Sequence, residues 1–250
     1  MEVFYSLFFF LFGAVFGSFY NVVGLRSPRG ETFTTDRSYC PYCKKTLHWY
    51  ELIPIVSYLM QFGKCRKCQS SISPLYPIIE CSTGALFLIS FWNFGFDWEL
   101  FTAVLFVSML MIILVSDIRY MIIENKILFF FLPLFIIMRI ISPLTPWWSP
   151  IIGAVLVSVL LALIIIVSRG GMGAGDMKLF FVLGIVLGAD KVILAFFLAA
   201  FLGAVIGILL IAFKWIERKQ PVPFGPYIVV GAFIAYFYGD AIISWYMGLL

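Results

Sequence analysis

The chain has 250 residues, 63% of them apolar and only 12% charged, with a formal net charge of +4. A soluble domain of this size averages about half apolar and about a quarter charged, and its surface-to-volume ratio leaves nowhere to bury such an excess. Soluble globular, disordered and fibrous classes are therefore excluded. With His48 as the single histidine, no HExxH zinc site can be written either.

A membrane crossing takes about 20 predominantly apolar residues. The first such run, Val3 to Leu25, carries no charge. Glu2 stands where a secretory signal would be basic, and the run is too long for a signal's apolar core. A polar insert follows from Arg26 to about Pro74. Seven further apolar runs lie at about 75–96, 100–116, 127–142, 151–168, 177–189, 192–213 and 224–245. Their breaks carry turn residues (Ser142-Pro143, Pro146-Trp147-Trp148, Gly170-Gly171, Pro221 to Pro223) or charge pairs. The pattern predicts an all-α polytopic membrane protein with about eight transmembrane helices. It forms a single domain, 1–250, with a small cytoplasmic insert at 26–74.

One run is short: Leu179 to Ala189 gives 11 uncharged residues, about 17 Å of helix. The basic residues argue that it crosses nonetheless. With eight crossings, all of the 17 Lys and Arg except Arg139 and Lys191 fall on one side. The positive-inside rule makes that side cytoplasmic and puts both termini outside. The positive charge thus follows the membrane, and no nucleic-acid partner is expected.

Within the insert stand Cys40-Pro-Tyr-Cys43 and Cys65-Arg-Lys-Cys68, separated by 21 residues. Two C-x-x-C knuckles complete a tetrahedral S4 site, the usual structural Zn²⁺ arrangement. A cytosolic position keeps thiols reduced and disfavours disulfides. A thiol-redox pair or plain solvent-facing cysteines are the alternatives. A closed S4 site has no open coordination position, so it is not assigned catalysis. Cys81, in an apolar helix, is expected to be buried and inert.

Ionisable groups in a membrane span suggest function by default. Three carboxylates stand out: Asp117 at the end of the 100–116 run, Asp176 after the glycine-rich stretch Gly170 to Gly175, and Glu80 one to two turns into the 75–96 run. The charge-derived topology brings all three to the cytoplasmic edge. Two carboxyls there can act as an acid-base pair, one ionised to take a proton from water and one protonated to give a proton to a peptide carbonyl. Like charges close together force that split. The glycines before Asp176 let backbone approach an unwound substrate strand closely. Helix ends favour charge on Asp176 and disfavour it on Asp117, so Asp117 is expected to hold the shared proton. Either aspartate alone is equally consistent with helix capping, and Gly13 with Gly17 reads as a helix-packing pair.

The residues resemble the prepilin peptidases, or type IV leader peptidases, over nearly the whole chain. Gly17-Ser18-Phe19-Tyr20-Asn21-Val22-Val23 with Arg26 is similar to that family's opening signature. The two knuckles fall where the family carries its zinc loop, and Pro77 to Gly84 resembles the segment that follows. Gly173-Ala174-Gly175-Asp176-Met177-Lys178-Leu179 matches the Gly-x-Gly-Asp motif, and Pro223-Phe224-Gly225-Pro226 a late proline-rich turn. The layout looks most like the competence-associated members from Gram-positive bacteria.

The resemblance implies a membrane aspartic endopeptidase of the bacterial cytoplasmic membrane, cutting leaders from type IV prepilins or pseudopilins at its cytoplasmic face. It also implies N-methylation of the new N-terminus with S-adenosylmethionine. Asp117 and Asp176 are carried over as the catalytic pair. Gly173, Gly175, Lys178, Glu80, Asn21 and Arg26 are expected to support substrate and backbone, and Glu80 also the methylation. Beyond membrane lipid, prepilins or pseudopilins are the expected partners. A proton-coupled transporter and a non-enzymatic assembly factor are the competing classes.

Overall fold

The computed structural model describes residues 1–32, 37–168, 173–215 and 222–249. Arg169, Gly170, Gly171, Met172, Arg218, Lys219 and Pro221, all used in the sequence reading, lie outside the described residues. The chain forms two compact units, Met1–Val115 and Ser116–Leu250, and no strand occurs among the described residues.

The first unit begins with α1 (Glu2–Arg26), continued by a 3-10 turn at Ser27–Arg29. The insert holds a second 3-10 turn, Trp49–Glu51, and the short helix α2 (Val56–Met60). Helix α3 (Leu75–Phe94) then lies along α1 at backbone distance. A Cβ on Gly13 would stand 2.7 Å from the Thr83 carbonyl oxygen, and one on Gly17 2.8 Å from the Glu80 Cα. The Gly13/Gly17 pair therefore packs helices, as expected of small residues in a membrane interface. Gly95, at φ 58, turns the chain into α4 (Trp98–Tyr120). Buried Tyr20 and Ser108 join α1 to α4 through hydroxyls 2.5 Å apart.

The second unit holds the end of α4, then α5 (Asn125–Ile141), α6 (Ser149–Val167), α7 (Ala174–Ala212) and α8 (Gly225–Met247). Helix α7 is not one rod. Gly188 leaves helical geometry at φ 76, ψ 179. The rings of Phe180 and Phe196 meet at 5.7 Å, whereas sixteen residues of straight helix would separate them by about 24 Å. The chain folds back at Gly188, so α7 is a helical hairpin. Its first arm packs on α6, where a Cβ on Gly184 would stand 2.6 Å from the Gly153 carbonyl carbon. Its second arm packs on α8, where one on Gly231 would stand 2.7 Å from the Ala195 carbonyl oxygen.

The hairpin tip explains buried Arg139. A helix that stops leaves orphan carbonyls, and Arg139 donates to the Val186 carbonyl from Nε (3.1 Å) and Nη2 (2.6 Å). The outgoing arm begins with Ala189 N–H donating to Ser149 Oγ at 2.9 Å. Both broken ends find protein partners.

Among the described residues, six helices are able by length and composition to cross a bilayer: α1 extended to Arg29, α3, α4, α6, α7 and α8. The chain is a multi-pass membrane protein. This count differs from the eight runs of the sequence at two places. Helix α5 has 17 residues, and α7 takes in both the 177–189 and 192–213 runs because its two arms meet at the single non-helical residue Gly188, with no connecting loop.

Candidate catalytic dyad and metal centre

Asp117 lies in the last turn of α4 and is 5% exposed. Its Oδ2 accepts the Gly225 N–H at 2.8 Å. Gly225 opens α8 and is followed by Pro226, which brings no N–H of its own. A Cβ at Gly225 would stand 2.7 Å from the Asp117 Cγ, so only glycine fits. Asp176 occupies the third position of α7 and is 9% exposed. Its carboxyl turns back over Gly173 and is held by that residue's backbone, in the manner of half a capping box. The Asp117 charge acts directly on Asp176.

The two aspartates are thus brought together within the second unit, each carboxyl at a helix N-terminus. That corrects the helix-end argument. Counting only the helix that carries it placed Asp117 at an unfavourable C-terminus, but the nearest helix end to its carboxyl is the start of α8. Dipoles no longer distinguish the two groups.

Around the pair, a Cβ on Gly175 would meet the Ile123 Cβ at 3.1 Å, fixing the loop after α4 beside the start of α7. That loop turns at Met121, φ 56, whose N–H donates to the Asp117 carbonyl at 2.8 Å. Lys178 Nζ donates to Asn125 Oδ1 at 3.1 Å, which ties α7 to the start of α5. Sequence reasoning missed Gly225, Ile123 and Asn125 as site residues. Only Gly225 carried a signal, as part of Pro223 to Pro226.

The remaining support residues belong to the first unit. Asn21 Nδ2 donates to the carbonyls of Gly17 (3.1 Å) and Tyr76 (3.2 Å), bracing α1 against the start of α3. Arg26 donates to the carbonyls of Thr32 and Arg37 at 3.2 Å each and covers the Tyr39 ring. Glu80 Oε2 accepts the Ile55 N–H at 2.7 Å, and Ser18 also bonds its carboxyl. Arg26 and Glu80 thus hold the insert onto its helices, while Asn21 joins the two helices to each other.

The insert gathers Cys40, Cys43, Cys65 and Cys68 with every Sγ within 4.8 Å of the others. The two knuckles repeat one geometry. Lys44 N–H returns to the Cys40 carbonyl and Gln69 N–H to the Cys65 carbonyl, each at 2.9 Å. Each of these residues takes the left-handed conformation, φ 56 and φ 57. The Cys40–Cys68 and Cys43–Cys65 sulfurs lie 3.8 and 4.0 Å apart. A tetrahedron with metal–sulfur bonds of about 2.3 Å has edges of about 3.8 Å, while a disulfide needs about 2.05 Å. The cluster fits a metal ion. Ser70, through its hydroxyl 3.0 Å away and its backbone N–H, pulls the Cys68 thiol down to about 6, while burial and the neighbouring thiols push Cys43 up to about 11. Cys81 is exposed on α3 rather than buried as expected, because apolar surroundings in this chain include the lipid-facing surface.

Glu51 anchors the first knuckle. Burial opposes its charge, but the His48 N–H (2.9 Å) and the Lys45 ammonium (3.1 Å) outweigh burial and hold the carboxyl below its ordinary value.

Comparison with known proteins agrees with this layout. A family model described as "Bacterial Peptidase A24 N-terminal domain" matches residues 11–94, and one described as "Type IV leader peptidase family" matches residues 104–208. The chain is 44% identical over 238 residues to the "Prepilin leader peptidase/N-methyltransferase" of Bacillus subtilis (strain 168), covering 95% of this chain and 96% of that one. It is 30% identical to the protein of the same name in Aeromonas salmonicida (strain A449), covering 96% and 93%. The Pseudomonas aeruginosa protein of that name is 29% identical over 95% and 91%. No solved structure matches. With near-complete coverage of such relatives, and the aspartate pair and cysteine cluster in place, the chain belongs to the type IV leader peptidase family.

Proposed function

We propose that this chain is a membrane aspartic endopeptidase that removes leader peptides from prepilins or pseudopilins. The observation that carries the reading is the pair of buried carboxyls, Asp117 and Asp176, within one unit and close enough for the Asp117 charge to reach Asp176. Two such groups share one proton. The ionised partner takes a proton from water as the water attacks the scissile carbonyl carbon. The other gives its proton to the carbonyl oxygen. Collapse of the tetrahedral intermediate returns a proton to the leaving amine. The Gly225 N–H keeps Asp117 in one orientation throughout, and the Gly173 backbone does the same for Asp176.

The other parts of the reading rest on different supports. The cysteine cluster binds Zn²⁺, which ties the knuckles together and takes no part in the chemistry. The distribution of Lys and Arg supports eight crossings, with α5 and both arms of α7 spanning, and a dyad at the cytoplasmic face of a bacterial inner membrane. The relatives' shared name supports N-methylation of the new N-terminus, with S-adenosylmethionine supplying the methyl group when bound. The Glu80 carboxyl is engaged by Ile55 and Ser18, so no step of methyl transfer is derived from it.

The test is direct. Purified full-length chain is incubated with a prepilin, with and without S-adenosylmethionine, and the product is weighed by mass spectrometry. Loss of the leader supports the peptidase, and a further methyl supports the second activity. An intact prepilin would refute the first.

A further inference from the structure

Beyond Arg26, the last residue of α1, the insert (27–74) contains seven Lys and Arg against three Asp and Glu, a net +4 that equals the formal net charge of the whole chain. A divalent ion in four thiolates carries two negative charges, which still leaves the insert basic. The same insert is apolar where it is exposed. Within residues 49–62, Trp49 is 77% exposed, Leu59 64%, Met60 67% and Phe62 89%. A patch of this kind marks an interaction surface.

Its depth identifies the partner. Leu52 and Pro54 face Val15, Ser18, Phe19 and Val22 of α1 across a cleft of about 300 Å³. The charged ends of α1, Glu2 and Arg26, are about 36 Å apart along the helix and bracket a hydrocarbon layer of about 30 Å. Val22 and Val15 lie about 6 and 16 Å from Arg26 along that axis. The cleft therefore runs from the edge of the hydrocarbon layer at Val22 toward its middle at Val15, below the solution. The Ile55 N–H nearby goes to Glu80, about 7 Å inside the first residue of α3. Backbone at that depth has no water and needs an internal acceptor.

We infer that residues 49–62 lie in the headgroup–acyl boundary of the bilayer that α1 and α3 cross, and that the exposed lysines flanking them bind anionic phospholipid headgroups. Apolar and aromatic side chains enter the boundary, while Lys44, Lys64 and Lys67, all exposed, stand at the phosphate level. Attachment to a spanning helix at each end keeps the segment within reach.

Photolabelling of the full-length chain in nanodiscs tests this. The discs carry a diazirine-bearing phosphatidylglycerol or phosphatidylcholine, and labelled peptides are mapped by mass spectrometry. Peptides covering 49–62 are expected to be labelled alongside those covering Val15 to Phe19, and more strongly by phosphatidylglycerol. Lys64→Gln and Lys67→Gln should each lower the ratio of phosphatidylglycerol to phosphatidylcholine labelling about fivefold, with metal content unchanged. Labelled α1 peptides with unlabelled 49–62 would overturn the inference. So would equal labelling by the two probes, or loss of 49–62 labelling on adding a prepilin that crosslinks there, which would make the patch a protein-docking surface. The wild-type arms stand whether or not the variants fold.

Discussion

A single hydrogen atom decides the environment of Asp117. Gly225 places its N–H on Oδ2, and any Cβ there would overlap the carboxyl group. Gly225→Ala is expected to cut leader removal at least a hundredfold, because a misplaced catalytic group by about 1 Å costs that much. The variant should keep its metal and its helical circular dichroism; wild-type turnover would show that Gly225 does not position Asp117. Glu51 is a second decisive residue. Its folded-state pKa is depressed, so its contribution to stability is full above the unfolded value of about 4.3 and is lost as pH falls through the folded value. Glu51→Gln should destabilise the insert by about 1.5–3 kcal/mol near neutrality. The gap from wild type should close below about pH 4, as read by proteolysis of the insert. A gap that persisted at low pH would contradict the charge argument.

Among elements, the α7 hairpin concentrates the constraints. Gly188 sits at φ 76, and a Cβ there would approach Ser149 Oγ to 2.6 Å. Gly188→Ala should lower thermal stability, and Arg139→Met should cost about 1–3 kcal/mol by orphaning the Val186 carbonyl. Unchanged melting of both would contradict the capping of the tip. The hairpin also shows where sequence legibility ends. The positions of α1, α3, α4, α6 and α8 follow from runs of apolar residues, which report burial in lipid or protein directly. The bend at Gly188 does not, since no polar turn is required when Arg139 and Ser149, forty-odd residues upstream, satisfy the broken backbone. Asp117, Asp176 and the four cysteines were visible because charge or thiol spacing is unusual in its surroundings. Gly225, Ile123 and Asn125 serve the dyad only through tertiary approach, and Cys81 was misjudged because lipid-facing and core positions look alike in composition.

At the scale of the whole chain, the topology is an electrostatic claim. Arg139 and Lys191 should lie on one side of the membrane, and the basic residues of the insert with Lys178 on the other. A membrane-impermeant amine reagent applied to right-side-out vesicles should modify Lys191 and spare Lys64, Lys67 and Lys178; the opposite pattern would invert the molecule and move the dyad to the far face.

The most direct measurement compares leader removal by the wild-type chain, Asp117→Asn and Asp176→Asn in the same lipid. Wild type should release the leader, and each variant should lose at least three orders of magnitude of activity, with unchanged metal content and melting. Substantial cleavage by either folded variant would contradict a catalytic role for the carboxyl pair.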